Sequence, residues 1–551
     1  MSRIRTCVGK DAKFVVGIHR PEFEVKNLRA NDHLESIGKL EDGSIIDNSV
    51  NFPENDLYES QADTIYEIAN AFPFRGTTYI NSAWADPKAG HPEKIFIPPP
   101  EPCSFLQNFK KMGKDEAGEQ KDKKSILNIL PHALLIALAQ ASTDPEELML
   151  LAQKSCRIIF DPDDQNPGKP PVYIGYTKDK SGKITPDIYD HALFDVLVNN
   201  RYLPDDYKNV LVLKPGVQGN NEITGEYLSE DRKTHVFEYL RRNSYIPWGH
   251  FASNMANDAI RYRVCDLSVE DMKGIRHLYY QRAFVRVASQ LDMNPSDKRD
   301  RLSRNELEAL RVKIEAELKQ NPELTLEFDA SLWGWNFGFG YAQSGHRLHA
   351  SHQMIHQQNA MIPKSVQTDS GKSMTSFACG DLIRDFIKIY KKKRGKNFFT
   401  DYFNAVKNNT RTDGNPEGEA SLVVMEDDYT ILFVPKAQIC EWELQLMPKI
   451  SCANILQADI NMRNSLDRAV LFAVKILESL GAQFVTSIEY SSRFESGESG
   501  QQMLYSFIPR LPHAPDTFSE AQLRRVTGVY PEDFAHACRE RLTKLSRENS
   551  K

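Results

Sequence analysis

The spacing of hydrophobic positions changes along this chain, from helical periods in its middle to alternation after residue 420. Residues 126–153 carry apolar side chains at helical spacing, and residues 302–319 repeat them with acidic and basic residues mixed on the exposed side. A further helix is predicted to start at Ser268, which caps it, with Asp271 three residues later completing the capping pair. The aromatic, glycine-rich stretch 332–341 reads as extended. Beyond 420, residues 421–425 and 429–435 are predicted strands separated by the turn Glu426-Asp427-Asp428, and 441–447 alternates strictly in polarity. That pattern predicts an antiparallel sheet with one buried face. Residues 465–480 then form an amphipathic helix ended by Gly481, and 502–508 is another strand. Polar segments at 110–124, 161–171, 178–182, 294–304, 408–419 and 492–502 mark loops or boundaries.

Composition adds bounds. With 551 residues, 40% hydrophobic and 26% charged, the chain is an ordinary globular sequence long enough for about three to four domains. A net charge of −6 gives no global electrostatic case for nucleic acid. The first residues lack the apolar stretch of a secretory signal and no apolar run could span a bilayer, so the expected location is cytoplasmic, with no membrane partner. Eight cysteines are scattered without a Cys-x-x-Cys pair, which signals neither a disulfide scaffold nor a cysteine zinc site.

The densest chemistry lies in one short run, where His346, His349, His352 and His356 are four of the fourteen histidines. Imidazole attacks phosphorus, binds metals and moves protons near neutral pH, so a cluster of this density points to chemistry. On a strand, His346, His352 and His356 would share a face and His349 would point away; on a helix all four would form one stripe. Three other motifs are weak. Ser370-Gly371-Lys372-Ser373 ends like a phosphate-binding loop but has Val366 where the first glycine is required, and Gly338-Phe339-Gly340 lacks the third glycine of a dinucleotide fingerprint. The basic run Lys391–Arg394 with Lys396 reads as a solvated helix end.

The stretch from Asp428 to Lys449 resembles the second half of galactose-1-phosphate uridylyltransferases of the histidine triad superfamily. It carries a strand, a proline, a short crossover, Trp442-Glu443 in place of the family's Phe-Glu, and a closing Pro448-Lys449. Leu523–Tyr530 resembles the family's terminal sugar-binding stretch, with Arg525 and Tyr530 at the places of a lysine and a tyrosine. Trp248–Asn257 followed by Cys265–Met272 is similar to a first repeat. Asn336, Ser344 and the histidine run fall where the family has an asparagine, a phosphate-contacting serine and its catalytic strand. With His352 at the nucleophilic position, Ala350 and Met354 replace the family's first histidine and glutamine. Shifting by one restores His349 and Gln353 but puts Ser351 at the nucleophile. The family's metal ligands are absent.

The resemblance implies an α+β fold of two histidine-triad-like repeats with antiparallel sheets and packed helices. Residues 236–385 and 420–551 would form the repeats, 386–419 a linker, and 1–235 an N-terminal extension of unassigned role. It also implies transfer at a nucleotide α-phosphate through a nucleotidyl-histidine. His352 would be the nucleophile, with His346 or His356 assisting; Asn336, Ser344, His349, Gln353, Arg525 and Tyr530 would bind substrate. The substrate would be a nucleotide or nucleotide sugar, with no metal and no cofactor, and a homodimer is left open. Two alternatives stand beside this one: a non-catalytic nucleotide-binding protein of the same superfamily, and a histidine cluster that binds a divalent metal.

Overall fold

The computed structural model describes the chain apart from residues 1–3, 53, 61, 113–122, 162–169, 179, 181, 183, 199, 212–220, 227–236, 242–244, 247–248, 251–263, 265–266, 294–301, 339–354, 495–499, 513–516 and 549–551. It has an α+β architecture centred on a seven-stranded antiparallel sheet. The strands are β1 (Phe328–Gly338), β2 (Ile355–Pro363), β3 (Val423–Glu426), β4 (Thr430–Phe433), β5 (Leu444–Pro448), β6 (Phe484–Tyr490) and β7 (Leu504–Pro509), in the order β2-β1-β6-β7-β5-β4-β3. Hairpins β1–β2 and β6–β7 meet through the antiparallel pairing of β1 with β6.

Each of these hairpins follows a long helix. Helix α1 (Val269–Gln290) begins at the capping box predicted for it, with Asp271 N–H donating to Ser268 Oγ at 3.1 Å and Ser268 N–H donating to Asp271 Oδ2 at 2.8 Å. The strongly patterned 302–319 segment forms α2 (Arg304–Gln320), capped by Ser303 and Glu306 in the same way. Helices α3 (Cys379–Arg394) and α4 (Phe398–Lys407) lie beneath the opposite face of the sheet, where residues 386–419 were expected to link the halves. Helix α5 (Ile460–Ser479) precedes β6. It was expected to be amphipathic but is buried around most of its circumference, because α1, the sheet and the C-terminal helix all pack against it.

Alternation along the strands sorts side chains to two cores. On one face Trp333, Trp335, Val485, Tyr505 and Phe507 join α1 and α5; on the other, Ile431, Phe433, Met447 and Leu504 join α3, α4 and Phe72 from the first hundred residues. Strand β5 is therefore covered on both faces, which corrects the expectation of a half-buried strand. Its Gln445 is tolerated in the interior because Tyr402 Oη donates to its Oε1 at 2.9 Å and its Nε2 donates to Glu443 at 3.1 Å. Arg276 of α1 is also fully buried, held by Asp467 at 3.2 Å, Glu489 at 3.1 Å and Tyr505 Oη at 2.7 Å while lying over the Trp333 ring.

Towards the C-terminal end follow the helices α6 (Thr517–Ala521) and α7 (Pro531–Glu548), with β8 (Arg524–Thr527) between them. Strand β8 runs parallel to Thr77–Asn81 in a separate four-stranded sheet, so the C-terminal end of the chain is tied to its first hundred residues. Gly76 opens this junction at φ +88°, and a Cβ there would sit 2.1 Å from the Leu523 carbonyl oxygen; only glycine fits. The segment 126–153 forms parts of three helices rather than one, Lys123–Ile129, His132–Ala141 and Pro145–Ser155, because Pro131 interrupts the first junction and Asp144 caps the third helix. The Ser370–Ser373 motif forms the turn of an exposed hairpin, with Gly371 at φ +72°. Among the described residues no helix is long and apolar enough to cross a membrane.

Candidate functional site

One row of the sheet crosses four strands at His356, Asn336, Thr486 and Ile508, each Cα registered opposite the next. Asn336 is even-numbered on β1, out of phase with the buried Trp333 and Trp335, so its side chain leaves the sheet on the face away from α1 and α5. There Thr486 Oγ1 donates to Asn336 Oδ1 at 2.7 Å. Engaging the carbonyl oxygen in this way leaves the Nδ2 hydrogens as the donors of the amide.

Thr486 also forms part of the floor of a cavity of about 280 Å³, near the lower end of small-molecule sites. Phe484 and Ile508 complete that floor. The loop residues Ile439, Cys440 and Glu441 make one wall, and Arg510, Glu520 and Arg525 converge from the far side. Arg510 directly follows the last residue of β7, whereas Glu520 lies on α6 and Arg525 on β8.

The loop wall is fixed from behind. Glu443 Oε2 accepts the Ile439 N–H at 2.7 Å, Thr78 Oγ1 donates to the Gln438 carbonyl at 2.7 Å, and Asn70 Nδ2 donates to the Ala437 carbonyl at 2.9 Å. Trp442 holds a left-handed backbone at φ 69°, a conformation that costs a non-glycine residue about 1 kcal/mol or more. Its ring stacks on Phe534 at 5.9 Å between centroids and 8° between planes, which keeps the bend in place. Burial pushes the Cys440 thiol well above its ordinary range, so it stays protonated and is a poor nucleophile near neutral pH.

Of the residues singled out in the sequence, Arg525 lines this cavity, and Asn336 is bonded to the lining residue Thr486 without lining the cavity itself. His356 lies on β2 opposite Asn336 in the register. His346, His349, His352, Ser344 and Gln353 lie outside the described residues. Tyr530 packs in the core edge-on to Tyr66, and its hydroxyl donates to Asp86 at 2.7 Å; burial, followed by that bond, pushes its pKa far above the usual range. Tyr530 does not line the cavity. Sequence reasoning missed Thr486, Arg510 and Glu520. A signal for Arg510 does exist: Ile362-Pro363-Lys364 closes the first hairpin as Ile508-Pro509-Arg510 closes the second.

No protein-family profile matches the chain, and no curated protein matches it. Solved structures resemble part of the chain at low similarity. A GalT-like protein from Arabidopsis thaliana is 15% identical with a TM-score of 0.29, over 43% of this chain and 69% of that one. An ADP-glucose phosphorylase from Arabidopsis thaliana is 15% identical with a TM-score of 0.30, over 43% of this chain and 66% of that one. A uridylyltransferase mutant is 12% identical with a TM-score of 0.30, over 45% and 75%. These values describe a remote and partial likeness.

Proposed function

We propose that the chain is a nucleotidyltransferase or phosphorylase acting at the α-phosphate of a nucleotide sugar or dinucleoside polyphosphate. The observation that supports this reading best is that Arg525 lines a cavity whose floor residue Thr486 holds Asn336 by a hydrogen bond. Arg525 and Asn336 were both assigned to substrate by the resemblance, from opposite halves of the chain. The orders α1-α2-β1-β2 and α5-β6-β7, which differ by the extra helix α2 but share an Ile-Pro-basic ending on both hairpins, support two related repeats joined through β1 and β6.

In this reading His352 attacks the α-phosphorus, forming an N–P bond as the bond to the departing sugar phosphate or pyrophosphate breaks. An oxygen of a second phosphate then attacks the same phosphorus and releases the imidazole. The Asn336 Nδ2 donates to a phosphate oxygen as charge shifts in the transition state, with Ser344 as a second neutral donor. His346 or His356 assists proton transfer, and Arg525 binds the sugar phosphate. His349 and Gln353 line the substrate in the alternative register.

Incubation with nucleotide sugars and dinucleoside polyphosphates labelled at the α-phosphorus should yield an acid-labile, base-stable adduct that His352→Ala abolishes. Equal labelling of wild type and variant would remove His352 from the mechanism. Ala350 and Met354, which stand where the family has a histidine and a glutamine, favour a second reading in which the chain binds nucleotides without transfer. Absence of label across the panel together with saturable nucleotide binding would establish that one.

A further inference from the structure

Two guanidinium groups share a single carboxylate oxygen at the cavity, and neither contact is close. Arg510 Nη2 lies 3.7 Å from Glu520 Oε1, and Arg525 Nη1 lies 3.9 Å from the same atom. Both separations exceed a hydrogen bond. The Nε of Arg525 is buried with no hydrogen-bond partner among the described residues, although its side chain is only 15% exposed. A guanidinium with that little solvent and one loose counter-charge has unused donor capacity. Arg510 and Glu520 are more open, at 49% and 36% exposure, so the carboxylate can leave without dragging a packed core with it.

We infer that Arg510 and Arg525 form a phosphate-binding pair whose place Glu520 holds until a phosphate group displaces it. The inference rests on the reading of this cavity as the substrate site and specifies how the sugar-phosphate end is held. A phosphate oxygen bridges the two guanidiniums more closely than a single carboxylate oxygen at these distances. A phosphate also offers enough acceptors to engage Arg525 Nε together with the terminal nitrogens. Glu520 supplies the counter-charge when the cavity is empty and is a competitor when phosphate arrives. The Arg510–Glu520 pair is exposed and the Arg525–Glu520 contact is long, so the competitor is displaced at modest cost. The Ile-Pro-basic repeat marks Arg510 in the sequence, but not its place beside Arg525, which exists only once the end of β7 is brought beside β8 and α6.

Calorimetric titration of the full chain with inorganic phosphate and, separately, with glucose 1-phosphate at fixed ionic strength tests this. Glu520→Gln should bind both about threefold more tightly, since an exposed competing ion pair is lost. Arg510→Gln should bind both about tenfold more weakly, since charge-assisted hydrogen bonds are lost. A larger effect on the ester than on free phosphate places the sugar in the same cavity; equal effects assign the pair to the phosphate alone. Unchanged or weaker binding by Glu520→Gln overturns the place-holder role, and unchanged binding by Arg510→Gln overturns the pair. Failure of wild type and Glu520→Gln alike to bind either probe overturns both. Circular dichroism confirms that the variants fold, and Glu520→Gln alone keeps the inference testable should Arg510→Gln not fold. Neither probe carries a nucleotide, so the result is independent of histidine labelling.

Discussion

Arg75 donates through Nη2 to Glu443 Oε1 at 2.6 Å, joining the first hundred residues to the loop that walls the cavity. Both side chains are almost fully buried, at 5% and 0% exposure. Glu443 is the hub of that loop, since it also accepts from Ile439 N–H and Gln445 Nε2. The N-terminal residues are thus part of the scaffold that sets the shape of the site. Removing the guanidinium leaves a buried carboxylate without its counter-charge.

Arg75→Met should therefore destabilise the protein by about 3–5 kcal/mol, the usual cost of breaking a buried pair from one side. The double substitution Arg75→Met/Glu443→Gln removes the stranded charge and should recover a substantial part of that loss. Chemical denaturation followed by tryptophan fluorescence measures both. Equal destabilisation by the single and double variants would show that lost packing, not charge, dominates.

His277 gives the protein a pH dependence of defined sign. Burial first, with Arg304 and Arg463 nearby, pushes its pKa down to about 4, while Nε2 bonds the Leu302 carbonyl at 2.9 Å. The unfolded chain takes up this proton near its ordinary value of about 6.5 and the folded chain only near 4, so the contribution is full above 6.5 and is lost as pH falls toward 4. His277→Gln keeps a donor for Leu302 but cannot titrate. Between pH 6.5 and 4 wild type should lose about 3 kcal/mol more stability than this variant. Parallel stability–pH curves for the two proteins would contradict the assignment.

What the sequence disclosed and what it hid follow from the range of the interactions. The Ser268–Asp271 cap was legible because it lies within one helical turn; the equally local Ser303–Glu306 cap was not read. Gly481 could be recognised as a helix end, and its close approach to the Ile97 carbonyl explains why it must be glycine. The alternation of 441–447 was legible as strand but misread for burial, because polarity cannot show that Tyr402 and Glu443 satisfy Gln445 inside the core. The parallel pairing of Arg525 with Thr78 had no local signal, since it joins opposite ends of the chain. Arg525 was found through resemblance; Arg510 and Glu520 had to wait for three separated segments to meet in space.

The bond between Thr486 and Asn336 separates a positioning role from a binding role. Asn336→Ala should slow nucleotidyl transfer about 100-fold by removing a donor to the transition state. Thr486→Val keeps the volume, frees the amide to rotate, and should lower kcat about tenfold with a smaller effect on KM, as expected for a lost orientation. Melting temperatures of both variants should stay near wild type, since Asn336 and Thr486 are only half-buried. If Thr486→Val changed KM alone, its hydroxyl would touch substrate directly instead of orienting Asn336.

The histidine run has a metal reading that an inexpensive measurement separates from the nucleophilic one. Neutral imidazoles at helical spacing would bind zinc with a pH dependence set by their protonation, and binding would stabilise the fold by mass action. A strand would not stack all four on one face; of the four, only His356 is among the described residues, and it lies on β2. A nucleophilic His352 also needs its imidazole free of metal to reach phosphorus. Protein purified without an affinity tag should accordingly hold no stoichiometric transition metal at His346, His349, His352 or His356. Near-stoichiometric zinc or iron by elemental analysis, lost in His349→Ala/His352→Ala, would instead make the run a metal site and remove His352 as the attacking group.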